Sequence, residues 1–175
     1  MSAAMKSKNI CRSPEMKFKD HRSPLIGVIS DTHGTLPSAA LEALQKVDLI
    51  LHAGDIDRPE VLQALEEIAP VVAVRGNMDR GPWAQRLSPI EMVQAGDATI
   101  VVVHDRYTLD LDPLAGGFQA VVYGHSHRPA LRQDNGVLFL NPGSASHPRF
   151  GTHPGVAHIR VDGKTLQAEL IELVE

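Results

Sequence analysis

Aspartate, histidine and asparagine recur at five separated places in this chain, each directly after a short apolar run. The first run ends in Asp31-Thr32-His33, the next in Gly54-Asp55, and a third in Gly76-Asn77-Met78-Asp79. Two later runs end in His104 and in Gly124-His125-Ser126-His127. Carboxylate, imidazole and amide oxygen together suit Mn, Fe, Zn or Ni, whereas an all-oxygen cage would suit Mg or Ca. In extended chain alternate residues face the same way, which would pair Asp31 with His33 and His125 with His127. Gly54, Gly76 and Gly124 permit sharp turns or a close backbone approach just ahead of these ligands. One such fragment alone is commonplace. Five in order, each at the end of an expected strand, point to one metal site.

The elements that must bring these places together follow from apolar spacing. Residues 25–30, 49–53 and 71–75 read as buried strands, and 37–47 and 59–68 as helices with a proline at or near each start. This βαβαβ opening implies parallel strands joined by right-handed crossovers. In the second half, strands are expected at 90–94, 99–104, 120–123, 130–133, 137–141, 155–161 and 166–173. Gly96-Asp97, Asp134-Asn135-Gly136 and Asp162-Gly163 mark three hairpin turns among them. The fold class expected is therefore α/β: a two-sheet α/β sandwich with outer helices, parallel in its first half and largely antiparallel in its second. Open α/β sheets carry their ligand crevice outside the carboxyl ends of the strands, where all five fragments lie.

Composition narrows the functional classes. The 175 residues are 43% hydrophobic and 22% charged, as in an ordinary globular protein. The longest apolar run, 98–103, is too short to cross a bilayer, so no membrane partner is expected. Residues 1–23 hold six Lys/Arg against Glu15 and Asp20, which makes the rest of this −4 chain the more acidic part. An acidic body with 4% aromatic residues argues against nucleic acid as a partner. The single cysteine, Cys11, cannot form an internal disulfide and suits the cytoplasm. A flexible tail is expected over 1–23, and one domain over 24–175.

The series Asp31-x-His33, Gly54-Asp55, Gly76-Asn77-x-Asp79, His104 and Gly124-His125-x-His127 resembles the calcineurin-like metallophosphoesterase superfamily. The segments IGVISDTHG, LILHAGDID, VRGNMD, VVYGHSHRP and NPGSAS carry the likeness over about residues 25–160. The short length is similar to the small prokaryotic phosphodiesterase branch, which the scaffold subunit of eukaryotic retromer also resembles. The resemblance implies two divalent metal ions, manganese first and Ni, Fe or Zn as alternatives. Asp31, His33 and His127 would hold one ion, and Asn77, His104 and His125 the other, with Asp55 bridging. Asp79 would stand behind the ligands as a supporting carboxylate. The implied reaction is hydrolysis of a small phosphodiester, with a metal-bound hydroxide attacking phosphorus. Asp31, His33, Asp55, Asn77, His104 and His125 would carry the catalysis. Arg149 is a candidate contact for an anionic substrate.

Departures from the pattern qualify that implication. Members acting on monoesters or nucleic acids often carry a histidine after Gly-Asn; here it is Met78, which favours diesters over a nucleotide phosphomonoesterase or nuclease. Asp105 follows His104 where glycine is usual. It is expected to occupy a left-handed turn and face solvent, the alternative being a carboxylate turned on the metals. Residues 110–119 are too short and Gly-rich for the usual helix. His52 is expected to be packed within its strand, and His147, His153 and His158 to lie on the surface or in loops. A non-catalytic interaction scaffold is the other class compatible with the fold, and a homo-oligomer stays open.

Overall fold

The computed structural model describes residues 11–12 and 23–174. Its strands are β1 (Cys11–Arg12), β2 (Leu25–Ile29), β3 (Leu49–His52), β4 (Val71–Ala73), β5 (Ile90–Ala95), β6 (Ala98–Val103) and β7 (Ala120–Val122). β8 (Ala130–Asp134), β9 (Val137–Asn141), β10 (Gly155–Asp162) and β11 (Thr165–Glu172) complete the set. They form a five-stranded sheet, β11-β10-β2-β3-β4, and a six-stranded sheet, β1-β5-β6-β7-β9-β8. The expected flexible tail falls outside the described residues, apart from β1, which pairs in parallel with Glu91 and Met92.

β2, β3 and β4 are parallel, as the βαβαβ reading requires, and β10 joins them antiparallel. Helices α1 (Ser38–Leu44) and α2 (Pro59–Glu66) make the crossovers and bury Ala40, Leu44, Val61 and Leu65. Both are shorter than their apolar spacing suggests. α1 ends where the chain must turn into β3, although Val47 stays buried. α2 stops ahead of Pro70, which disfavours helical geometry at Ala69.

The three hairpins form where expected. Asn135 and Gly136 both have positive φ, +49° and +84°, as a two-residue type I′ turn demands. The hairpin strands are antiparallel, but the centre of the six-stranded sheet is not: β7 lies parallel between β6 and β9. Strand periodicity does not encode that insertion. The outer helices cover only the five-stranded sheet. On the six-stranded sheet the connection after β6 holds a 3-10 turn, Arg106–Thr108, and no helix over 110–119. Leu109 packs there with Val103, Val121, Tyr123 and Val137.

Between the sheets lies the main core, including Ile26, Val28, Leu51, Ile100, Val102, Val122, Leu140 and Ile159. Burying these side chains contributes roughly 1.5–3 kcal/mol each, which fixes the strand ends relative to one another. No helix among the described residues is long and apolar enough to cross a membrane.

Candidate metal centre

All seven sequence-predicted ligands meet at the carboxyl ends of β2, β3, β4, β6 and β7. Asp31, His33 and His127 offer ligand atoms within 4.8 Å of one another, and so do Asp31, Asp55 and His104. Asn77 Oδ1 lies 3.0 Å from both His104 Nε2 and His125 Nδ1. The residue common to the two carboxylate groups is Asp31, which is fully buried.

Backbone conformation, not strand pleating, aims these side chains. Asp31 (φ +52°), His33 (+46°), Asp55 (+55°), His125 (+68°) and His127 (+56°) are all left-handed. A residue with a Cβ adopts that region at a cost of about 1–2 kcal/mol, and Asp, Asn and His bear it best. The expected same-side pairing of His125 with His127 therefore fails, because the chain there is not extended. The His127 ring stacks on His33 with centroids 5.1 Å apart, while His125 meets His104 edge-on at 5.2 Å.

Two glycines make this crowding possible. A Cβ on Gly76 would overlap Asp55, and one on Gly124 would overlap Ser30 Oγ and come within 2.6 Å of Asp31 Oδ2. No side chain fits at either position.

The hydrogen bonds fix which ring nitrogens face the centre. His127 Nδ1 donates to the His147 carbonyl at 2.6 Å, and His104 Nδ1 to the Ala53 carbonyl at 2.7 Å. His33 Nδ1 donates to Asp57 Oδ2 at 3.1 Å. With each Nδ1 occupied as a donor, the neutral ring's lone pair is on Nε2. His33 Nε2 and His127 Nε2 then face each other at 3.2 Å. His104 Nε2 likewise faces Asn77 Oδ1 and, at 3.3 Å, Asp55 Oδ2. Asp31 Oδ1 is 3.3 Å from His127 Nε2 yet is buried without a hydrogen-bond partner. With those three rings neutral, acceptor meets acceptor at each of these contacts, an arrangement that a divalent cation satisfies. The residues present fit such an ion.

Without an ion, a proton shared with the neighbouring carboxylate takes that place on two of the rings. The Asp31 carboxylate raises His127 above the ordinary 6.5 against the opposing effect of burial. Burial works against a charge on His104, but hydrogen bonding and charge from Asp55 outweigh it and raise this group too. For Asp55, burial pushes upward, and the His104 and Met78 hydrogen bonds prevail and hold it low.

Behind the ligands, Asp79 accepts from the backbone N–H groups of Asp55, Ile56, Asp57 and Gly76 at 2.7–3.1 Å. Its two oxygens thus tie the Asp55 loop to the Gly76 loop. The NPGSAS segment does similar work from the other side: Ser144 Oγ donates to the Asp31 carbonyl at 2.7 Å and Ser146 Oγ to the Thr32 carbonyl at 2.6 Å. Arg149, Met78 and Pro148 line a cavity of about 630 Å³ over His33, His125 and His127.

Three expectations need correction or refinement. His147 is exposed in a loop, as expected, but it also serves the site: its carbonyl holds His127, its ring meets His33 edge-on, and it lines the cavity. Only the Ser-rich loop before it could have signalled this. Asp105 is not left-handed (φ −112°); its side chain caps Tyr107 N–H, and it joins neither ligand group. His158 lies on β10 and donates Nε2–H to the Ala43 carbonyl at 2.9 Å.

His52 is packed as expected, accepting from Gly54 N–H at 3.1 Å and contacting Thr32 Oγ1 at 3.1 Å. Burial lowers it from 6.5 to about 3. Between those values the unfolded chain binds a proton that the folded chain refuses. Stability is thus lost as pH falls from 6.5 toward 3, by up to about 1.4 kcal/mol per pH unit. The chelated His52→Asn protein should show a correspondingly shallower acid limb in melting temperature against pH. An unchanged slope would mean that His52 does not carry it.

Two sheets closing on a nest of carboxylates and imidazoles define a metallophosphoesterase-type site. The family comparison agrees: residues 25–164 match the calcineurin-like phosphoesterase superfamily domain, and the chain belongs to that superfamily. It is 40% identical over 158 residues to a probable metallophosphoesterase of Methanothermobacter thermautotrophicus, covering 84% of this chain and 91% of that protein. It is 27% identical over 136 residues to a phosphodiesterase of Methanocaldococcus jannaschii, covering 67% and 82%. Among solved structures, Vps29 of Entamoeba histolytica complexed with zinc has the same fold, with a TM-score of 0.69 at 21% identity, covering 86% of this chain and 99% of that one.

Proposed function

We propose that this protein hydrolyses a small phosphodiester at a dinuclear centre, with manganese as the ion of first choice. The observation that carries this reading is the convergence of His33, His104 and His127 Nε2 with Asp31, Asp55 and Asn77 oxygens at 3.0–3.3 Å. Asp31, His33 and His127 would hold one divalent ion and Asn77, His104 and His125 the other; the family resemblance assigns Asp55 to both, and Asp31 also reaches both groups of ligand atoms. Such ions supply Lewis acidity toward a phosphoryl oxygen and make water acidic enough to attack phosphorus near neutral pH.

The chain's own residues do the rest. Only Asp31 and Asp55 among the ligands are anionic, so the neutral His and Asn ligands leave net positive charge for a phosphate. Arg149, on the cavity wall, suits a non-reacting anionic oxygen. Met78 is exposed to the same cavity and has no proton to give a leaving group, which supports diesters whose leaving oxygen needs little acid assistance. The relatives named as phosphodiesterases support the same preference.

The test is hydrolysis of a chromogenic phosphodiester and its monoester, with Mn²⁺ and with chelator. Metal-dependent turnover of the diester in preference to the monoester is expected. Because His104 and His127 favour their protonated forms above 6.5, protons compete with metal, and half-maximal activity should require more Mn²⁺ as pH falls. Metal binding without turnover of either compound would overturn the catalytic reading in favour of a scaffold.

A further inference from the structure

Asp57 stands two residues beyond Asp55, in a sequence position that gives no sign of a role. Its φ is +66°, and its N–H is tied to Asp79 Oδ1 at 2.8 Å. This swings the carboxylate toward His33, where Oδ2 lies 3.1 Å from Nδ1. A carboxylate can only accept, so Nδ1 keeps its hydrogen and the lone pair is left on Nε2, the atom that faces His127. The other oxygen, Oδ1, is buried without a hydrogen-bond partner, a condition it shares only with Asp31 Oδ1 among the described residues. Burying a carboxylate oxygen unpaired is costly. Asp31 contacts His127 and Asp57 contacts His33, so both instances flank the same histidine pair.

The other two oriented histidines are held differently. His127 and His104 donate Nδ1–H to main-chain carbonyls, which no side-chain substitution removes. His33 alone of the three depends on a side chain.

We propose that Asp57 is a positioning residue, holding His33 in the tautomer and orientation that let Nε2 ligate a divalent cation. The inference rests on the metal-centre reading above. Outer partners of this kind typically account for 10–100-fold in metal affinity.

The experiment is a calorimetric titration of the full chain with Mn²⁺, in wild type, Asp57→Gly and Asp57→Asn. Glycine adopts φ +66° freely, so the chelated Asp57→Gly protein should melt no lower than wild type. Asparagine tolerates the same φ and retains an acceptor oxygen. Asp57→Gly is expected to lose about 10–100-fold in affinity at one of two sites and to leave the second unchanged. Asp57→Asn should restore most of that loss. Wild-type affinity at both sites in Asp57→Gly would overturn the proposal, and so would an Asp57→Asn as weak as Asp57→Gly. A wild type that binds no Mn²⁺ would overturn the metal-centre reading along with it, whereas failure of the variants alone leaves that reading intact.

Discussion

Asp55→Asn is expected to cut metal-dependent diester hydrolysis by about three orders of magnitude while the protein remains folded. The change is nearly isosteric: an amide oxygen can still accept from Met78 N–H, which Asp55 Oδ1 now does at 2.8 Å. What is lost is a negative charge, and what is gained is an amide N–H₂ facing the Nε2 lone pair of His104, 3.3 Å from Asp55 Oδ2. At an effective dielectric near 20, one unit charge in contact with another is worth roughly 4 kcal/mol. Spread over binding and turnover, that is about a thousandfold. The new N–H₂ could satisfy His104 directly, removing the need for a cation there. The assay is kcat/KM for the diester at saturating Mn²⁺, beside the melting temperature in chelator. Residual activity within tenfold of wild type would show that Asp55 is not shared between ions.

The sequence disclosed the candidate ligands better than the path that unites them. Gly-Asp, Gly-Asn-x-Asp and Gly-His-x-His follow apolar runs, and chemistry at strand ends in a parallel sheet is a topological rule. Residue type was therefore enough to single out Asp31, His33, Asp55, Asn77, His104, His125 and His127, which the fold brings together. Their geometry was not legible in the same way. Left-handed φ at five of these positions leaves no mark in periodicity, because Asp, Asn and His occupy that region without requiring glycine. The partners of Nδ1 were equally hidden. Two are main-chain carbonyls, at Ala53 and His147, which every residue possesses. The third, Asp57, looks like any acidic loop residue. Likewise, nothing in the alternation of 120–122 says that β7 slides parallel between β6 and β9; that order is decided by core packing across the whole sandwich.

Asp79 shows how the fold and the site depend on one side chain. It is 7% exposed, and its two oxygens accept four backbone N–H groups from loops that follow different strands. Three of those donors belong to the turn carrying Asp55 and Asp57, and the fourth to Gly76, next to Asn77. Asp79→Ala would strand all four. A buried donor left unsatisfied costs about 1–3 kcal/mol, and water entering the vacated space would recover part of that. A net loss of about 4 kcal/mol is expected, a large share of the roughly 5–15 kcal/mol available to a domain. Asp79→Asn should recover only part, since its N–H₂ would point a donor at donors. Denaturant unfolding in chelator measures the effect without any contribution from bound metal. The same substitution frees the Asp55 and Asn77 loops from each other, so Mn²⁺ affinity should fall even at temperatures where the variant stays folded. A loss below about 1 kcal/mol would mean that the two loops hold their positions independently, through strand packing alone.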